Sequence, residues 1–181
     1  MSATDAKAIT DFWRDAGYQR WFTRDDAFDA RFSARFLPSH HAAARREFEH
    51  WLDDADGALA LILLLDQLPR NAFRDSAHAY ATDGLARHYA ECAIDAGLDR
   101  AIETPLRAFV YLPFEHSEAR ADQDRSVALF RALGDADYSK YAEAHREVIV
   151  RFGRFPHRNR ALGRTSTPEE LAWLDAGGGF G

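Results

Sequence analysis

The residues that invite a chemical reading are concentrated in one stretch, 145–164, His-Arg-Glu-Val-Ile-Val-Arg-Phe-Gly-Arg-Phe-Pro-His-Arg-Asn-Arg-Ala-Leu-Gly-Arg. It holds six arginines against one acid, Glu147, in a chain of formal net charge −6. A guanidinium grips a carboxylate or phosphate through two parallel N–H bonds, so Arg154 and Arg158, with Asn159 beside them, suit an anion. The same groups also suit the chain's own buried acids and the bare carbonyls of helix ends. Both readings stand at this level. Arginine outnumbers lysine 21 to 2, so the placement of arginines carries more weight than their number.

Two further groups could do chemistry. In Asp66-Gln67-Leu68-Pro69-Arg70-Asn71, Asp66 shares a helical face with Leu59, Ile62 and Leu63. A carboxylate there must be neutral or paired. Arg70, four residues on, is one partner, and an arginine of 145–164 is another. The second group is His116, Glu118, Asp122 and Gln123. Glu118 and Asp122 are neighbours on a helix surface, and with His116 they offer oxygen and imidazole ligands, but no recognised metal spacing is met. Ser117 as a helix cap, with acids in the first turn, accounts for them more simply, so we expect no metal. His145 lies on the Val148 and Ile149 side of its helix and reads as a core histidine. His157, in a loop between Pro156 and Arg158, has no such packing reason. In a catalytic reading, His116 or His157 is the general base, Glu118 or Asp66 orients it, and arginines hold an anionic substrate.

The elements that must position these residues are helices. Helical spacing recurs and no stretch alternates like a strand. Thr4 is expected to cap a first helix, and Phe28, Phe32 and Phe36 form an i, i+4, i+8 stripe ended by Pro38. A third helix is expected over 39–52. Residues 58–68 are apolar on every side and predict a central, surrounded helix stopped by Pro69. A long helix is expected from about 75 to 96, closed by Gly97, then 104–112 ended by Pro113. Another begins at Ser117, and another covers 137–152 with Gly153 as its closing residue. Thr167-Pro168-Glu169-Glu170 combines an N-cap, a proline at the first helical position and a capping-box glutamate. That makes about nine helices, packed as antiparallel pairs in one all-α domain over 1–176, with a flexible glycine-rich tail at 177–181.

Bulk properties narrow the function classes. With 181 residues, 46% hydrophobic and 13% aromatic, the chain has the composition of a folded globule. Its negative charge argues against general nucleic-acid binding or an anionic membrane surface. The longest apolar run, Ala58 to Leu65, is far short of the roughly 20 residues that cross a bilayer. Cys92 is the sole cysteine, and no disulfide within the chain or cysteine zinc site can form. No basic region followed by an apolar run opens the chain, so we expect a cytoplasmic protein.

Taken together, several blocks resemble the bacterial domain-of-unknown-function family 924. They are Asp11-Phe12-Trp13, Trp21-Phe22 with Phe28-Asp29, Leu65 to Asn71, Pro113 to Glu118 with Gln123, and Arg151 to Asn159 with Leu162-Gly163-Arg164 and Thr167 to Glu170. The resemblance spans nearly the whole chain, and its last block, Arg151 to Asn159 with Leu162-Gly163-Arg164 and Thr167 to Glu170, is the most specific. It implies an all-helical protein similar to tetratricopeptide-like arrays, and it implies no reaction. Arg14 departs from the pattern, standing where the family commonly has an aromatic. The polar residues of these blocks, Asp66, Gln67, Arg70, Asn71, His116, Glu118, Gln123, Arg154, His157, Arg158 and Asn159, together with His145, are expected to form one shared cluster. The expected function is a binding module for a small anionic ligand or an acidic peptide, without cofactor. One alternative is a hydrolase or transferase using the His/Glu/Arg group. Another is a structural polar cluster whose function lies in partner or oligomer contacts.

Overall fold

Ala58 to Leu65 are fully buried, as an all-round apolar segment must be. In the computed structural model, which describes residues 5–180, they form the inner part of one continuous helical run. This run begins as α4 (Ala55–Ile62), passes through a π-helical segment (Leu63–Gln67) and continues as α5 (Leu68–Ala72). Pro69 therefore sits inside the run rather than at its end. The π-helical turn is what accommodates it. Leu68 N–H reaches back to Leu63 O, and side chains approach three successive carbonyls just before the proline. His40 Nδ1 lies 2.8 Å from Leu64 O, Thr82 Oγ1 donates to Leu65 O at 2.5 Å, and Arg70 donates to Asp66 O at 2.8 Å. A buried carbonyl without a partner costs about 1–3 kcal/mol, so these donors offset the proline's missing N–H.

The fold is all-α; no strand occurs among the described residues. The chain divides into two compact units. Of the described residues, one comprises 5–74 and 78–113, the other 75–77 and 114–180. In the first, α4 is packed by α1 (Ala6–Ala16) and α6 (Asp83–Asp95), and α3 (Asp26–Ala44) packs on α5. The short α2 (Tyr18–Trp21) follows α1, and α7 (Thr104–Glu115) begins in this unit. The phenylalanine stripe of α3 is buried as its spacing predicts. Phe12 stacks on Phe28 and Phe32, and Trp13 meets Phe32 and Phe109. Each such ring contributes about 1.5–3 kcal/mol by burial.

Two more prolines lie where helix ends were expected. Pro38 is inside α3 and Pro113 is inside α7. Phe28, Phe32 and Phe36 before Pro38, and Ser39, His40, Ala42 and Ala43 after it, are all buried. Packing on both sides of the kink outweighs the roughly 3 kcal/mol of an interior proline. The helix expected over 39–52 is thus the end of α3 followed by a 3-10 turn at Glu49–Asp53, with Arg46 left-handed between them at φ 65°. The helix expected from residue 75 starts only at Asp83. Thr4 lies outside the described residues, and Asp5 caps α1 by accepting Lys7 N–H at 3.0 Å.

In the second unit α8 (Arg120–Leu133) and α9 (Ala136–Phe152) pack as a hairpin through Gly134 and Asp135. Gly153 closes α9 at φ 70°, a conformation that favours glycine. A 3-10 turn at Pro156–Arg158 and α10 (Pro168–Asp175) complete it. The expected capping box is present: Thr167 Oγ1 accepts Glu170 N–H, and Glu170 Oε2 accepts Thr167 N–H at 2.7 Å.

Candidate functional site

The sequence-selected residues fall into two groups, one in each unit. In the first unit the π-helical turn holds Asp66 fully buried. Its carboxylate accepts Gln67 Nε2 at 2.6 Å and lies 3.1 Å from Arg70 NH1. Arg70 in turn grips Asp83 with both terminal nitrogens, at 2.8 and 2.9 Å. Burial works against the charge of Arg70, and Asp66 and Asp83 together more than restore it. Asn71 is half-buried in α5. The expected Asp66–Arg70 pair is therefore present. Asp83, thirteen residues from Arg70, was not foreseen, because no helical spacing links the two across the turns between α5 and α6.

In the second unit five of the six arginines of 145–164 are bonded to internal groups. Arg154 holds Glu170 at 2.6 and 2.8 Å and also donates to Thr165 O. Arg164 holds Glu118 at 2.8 Å through each terminal nitrogen, and Phe155 N–H donates to Glu118 Oε1 at 2.9 Å. Arg158, itself buried, donates to His116 O at 2.9 Å and lies over the Phe155 ring at 4.5 Å. Arg146 bonds Asp124 and Arg151 bonds Glu169. Arg160 is exposed and has no acid partner among the described residues. Asn159 directs Nδ2 toward Ser166 Oγ at 3.0 Å and Glu170 Oε2 at 3.3 Å.

The electrostatics follow from these contacts. Arg154 first, then burial opposed by the Thr167 N–H, leave the Glu170 carboxyl down at about 2. Burial pushes Glu118 up, but Arg164 and the Phe155 N–H prevail and hold it below the usual carboxylate range. Glu118 and Asp122 face different partners, because Asp122 Oδ2 accepts Ser117 Oγ at 2.6 Å. Gln123 is fully buried and its Nε2 donates to Glu115 O and Ser117 O at 2.6 and 2.7 Å, with Phe114 O at 3.4 Å. It thus serves the bare carbonyls at the end of α7, which a helix cannot satisfy by itself.

His145 is buried against Phe155 and lies under the ring of Phe180, whose centroid is 3.6 Å away. Its Nδ1 is 2.8 Å from Tyr141 O and 3.3 Å from Glu115 Oε1. A carboxylate so close favours the charged ring, yet burial dominates and pushes His145 down to about 3. The imidazole is therefore neutral at physiological pH, and the contact to Tyr141 O assigns its proton to Nδ1. So weak a base is poorly matched to proton abstraction near pH 7. His157 meets Phe180 edge-on and Phe155 at a tilt of 44°, with centroids at 5.9 and 5.6 Å. His116 and His157 are both close enough to disfavour a charge on His145.

Two surface recesses lie elsewhere. One, of about 280 Å³, is lined by Asp5, Lys7, Asp11, Phe12, Asp15 and Arg35. The other, of about 440 Å³, lies between α8 and α9 along Asp124, Arg131, Glu143, Arg146 and Glu147. Neither is lined by a residue of the expected polar cluster, although the first takes in Asp11 and Phe12 of the block Asp11-Phe12-Trp13. Sequence reasoning also missed Arg14 as a junction: it bonds Glu103 and Asp56 and lies 3.4 Å from Asp11. Arg14 thus ties α1 to the acidic starts of α4 and α7.

A family model described as a bacterial protein of unknown function, DUF924, matches residues 9–178. The chain is similar to a solved structure of a protein of unknown function from Agrobacterium tumefaciens, at 52% identity and a TM-score of 0.92. The match covers 94% of this chain and 97% of that one. No curated protein matches.

Proposed function

The chain belongs to the bacterial protein family of unknown function DUF924, and from that premise we propose that it works through contacts with another polypeptide, its arginine-rich segment serving as internal framework. The observation that carries this reading is the commitment of Arg154 to Glu170, Arg164 to Glu118 and Arg158 to His116 O. A free anion would have to displace a tethered carboxylate, whose effective concentration is on the order of millimolar or higher. That favours partner contacts over the capture of a small anion, and the same commitments leave few arginines to hold an anionic substrate. Tyr141, Val150 and Leu171, exposed at 59, 52 and 50%, are large apolar side chains of the second unit open to a partner.

Two measurements test it. Inorganic phosphate and a panel of phosphorylated metabolites at millimolar concentration are expected to leave the melting temperature within about 1 °C, since a ligand of the native state raises it by mass action. A photo-cross-linking residue at Tyr141, Val150 or Leu171 is expected to yield a discrete cross-linked polypeptide in cells. A clear thermal shift with an anion, or no product from any of the three positions, would overturn the reading.

A further inference from the structure

The seat of Phe180 is built by the chain on both sides. Gly177 N–H bonds Leu174 O and Gly178 N–H bonds Trp173 O, both at 2.9 Å, the paired bonds of a Schellman turn that closes α10. A Cβ on Gly178 would stand 2.3 Å from Trp173 Cδ2, so only glycine fits there. Gly179 takes φ 137° and passes His157, whose Cβ would lie 3.5 Å from a Cβ on Gly179. Phe180 then lies on His145 at 17° to its plane, with Phe155 and His157 presenting their rings at 88° and 84° to it. One stacked face and two edge-on walls are the arrangement in which aromatic rings attract one another. His145, the floor, is neutral and buried, and Phe180 is only partly buried. Between Ala176 and Phe180 the segment carries no side chain, so a single ring anchors it.

We propose that the box of His145, Phe155 and His157 is a recognition site for an aromatic side chain presented on a small-residue segment of another polypeptide, with Phe180 as the resident occupant that such a segment displaces. This rests on the partner reading above and names the chemistry of the contact. The occupant's class is argued from the one that fits: a glycine segment followed by a phenylalanine.

The test uses the full chain bearing Phe180→Ala and two probes, acetyl-Gly-Gly-Gly-Phe-Gly-amide and its leucine counterpart, followed by titration calorimetry and by the imidazole resonances of His145 and His157. The variant is expected to bind the phenylalanine peptide at least tenfold tighter than the leucine peptide, with both imidazoles shifting. Equal binding of the two peptides would mean only a hole, and binding of neither would mean only a structural plug; each overturns the proposal. If Phe180→Ala does not fold, the phenylalanine peptide is titrated into the wild-type chain. The Gly177 to Gly179 amides are then expected to move toward random-coil positions, and unmoved amides overturn the proposal. An anion-induced thermal shift would remove the partner reading without touching the peptide result, so the two failures are separable.

Discussion

Glu170 is the residue on which local and distant contacts meet. Its part in the capping box was legible in the sequence, because Thr167 and Glu170 are three apart and the geometry of a helix start fixes both bonds. Its grip on Arg154 was not, because the two are sixteen residues apart across an irregular loop and either could have faced elsewhere. The pairing lowers its carboxyl from an ordinary 4.5 to about 2, so folding favours the ionised form. Stability from this group is full above about 4.5 and is lost as pH falls through about 2. Wild type should therefore exceed Glu170→Gln in urea stability by a constant margin from pH 8 to 5. That margin should shrink below about 4.5 and nearly vanish at pH 2; a gap that stays constant in acid would contradict the assignment. Arg158→Ala should lower the melting temperature with no ligand to lose, since it leaves His116 O and the Phe155 face without their partner; an unchanged melting temperature would count against that role.

At the scale of elements, the periodicity of Phe28, Phe32 and Phe36 and the apolar run from Ala58 placed the helices that build the core. The prolines misled for a definite reason. A proline removes one N–H and crowds one carbonyl, which sequence registers as a stop, whereas the side chains that repair the damage come from distant positions. His40 and Thr82 repair Pro69, at separations of 24 and 17 residues from the carbonyls they serve. Burial lowers the His40 proton affinity, opposed by the bond to Leu64 O, so the neutral ring is the donor there. His40→Phe keeps the volume and removes the donor, and Thr82→Val does the same at its site. Each should cost about 1–3 kcal/mol in urea unfolding, while Thr82→Ser should cost much less. If Thr82→Val is neutral, the repair of the π-helical turn by side chains is not what holds Pro69 inside the run.

For the whole molecule, an acidic chain with a basic stretch poses one question: whether the basic groups serve the protein or a visitor. The sequence narrowed the clients of the arginines to buried acids or an outside anion but named Asp66 as the leading acid. Within the second unit, Glu170 and Glu118 are the acids that Arg154 and Arg164 hold. Both were hidden because a carboxylate read into a helix's first turn already has a reason to be there, in the helix dipole. That placement holds for Glu170, whereas Glu118 precedes α8, which begins only at Arg120 with Ala119 rather than Ser117 at its N-cap. The measurement that bears most directly on internal commitment is a double-mutant cycle over Arg154→Ala and Glu170→Ala in urea unfolding. A buried carboxylate gripped by a part-exposed arginine predicts a coupling of about 2 kcal/mol, with phosphate leaving the wild-type stability unchanged. A coupling below about 0.5 kcal/mol, within ordinary additivity, would contradict the account and return Arg154 to the service of an external anion.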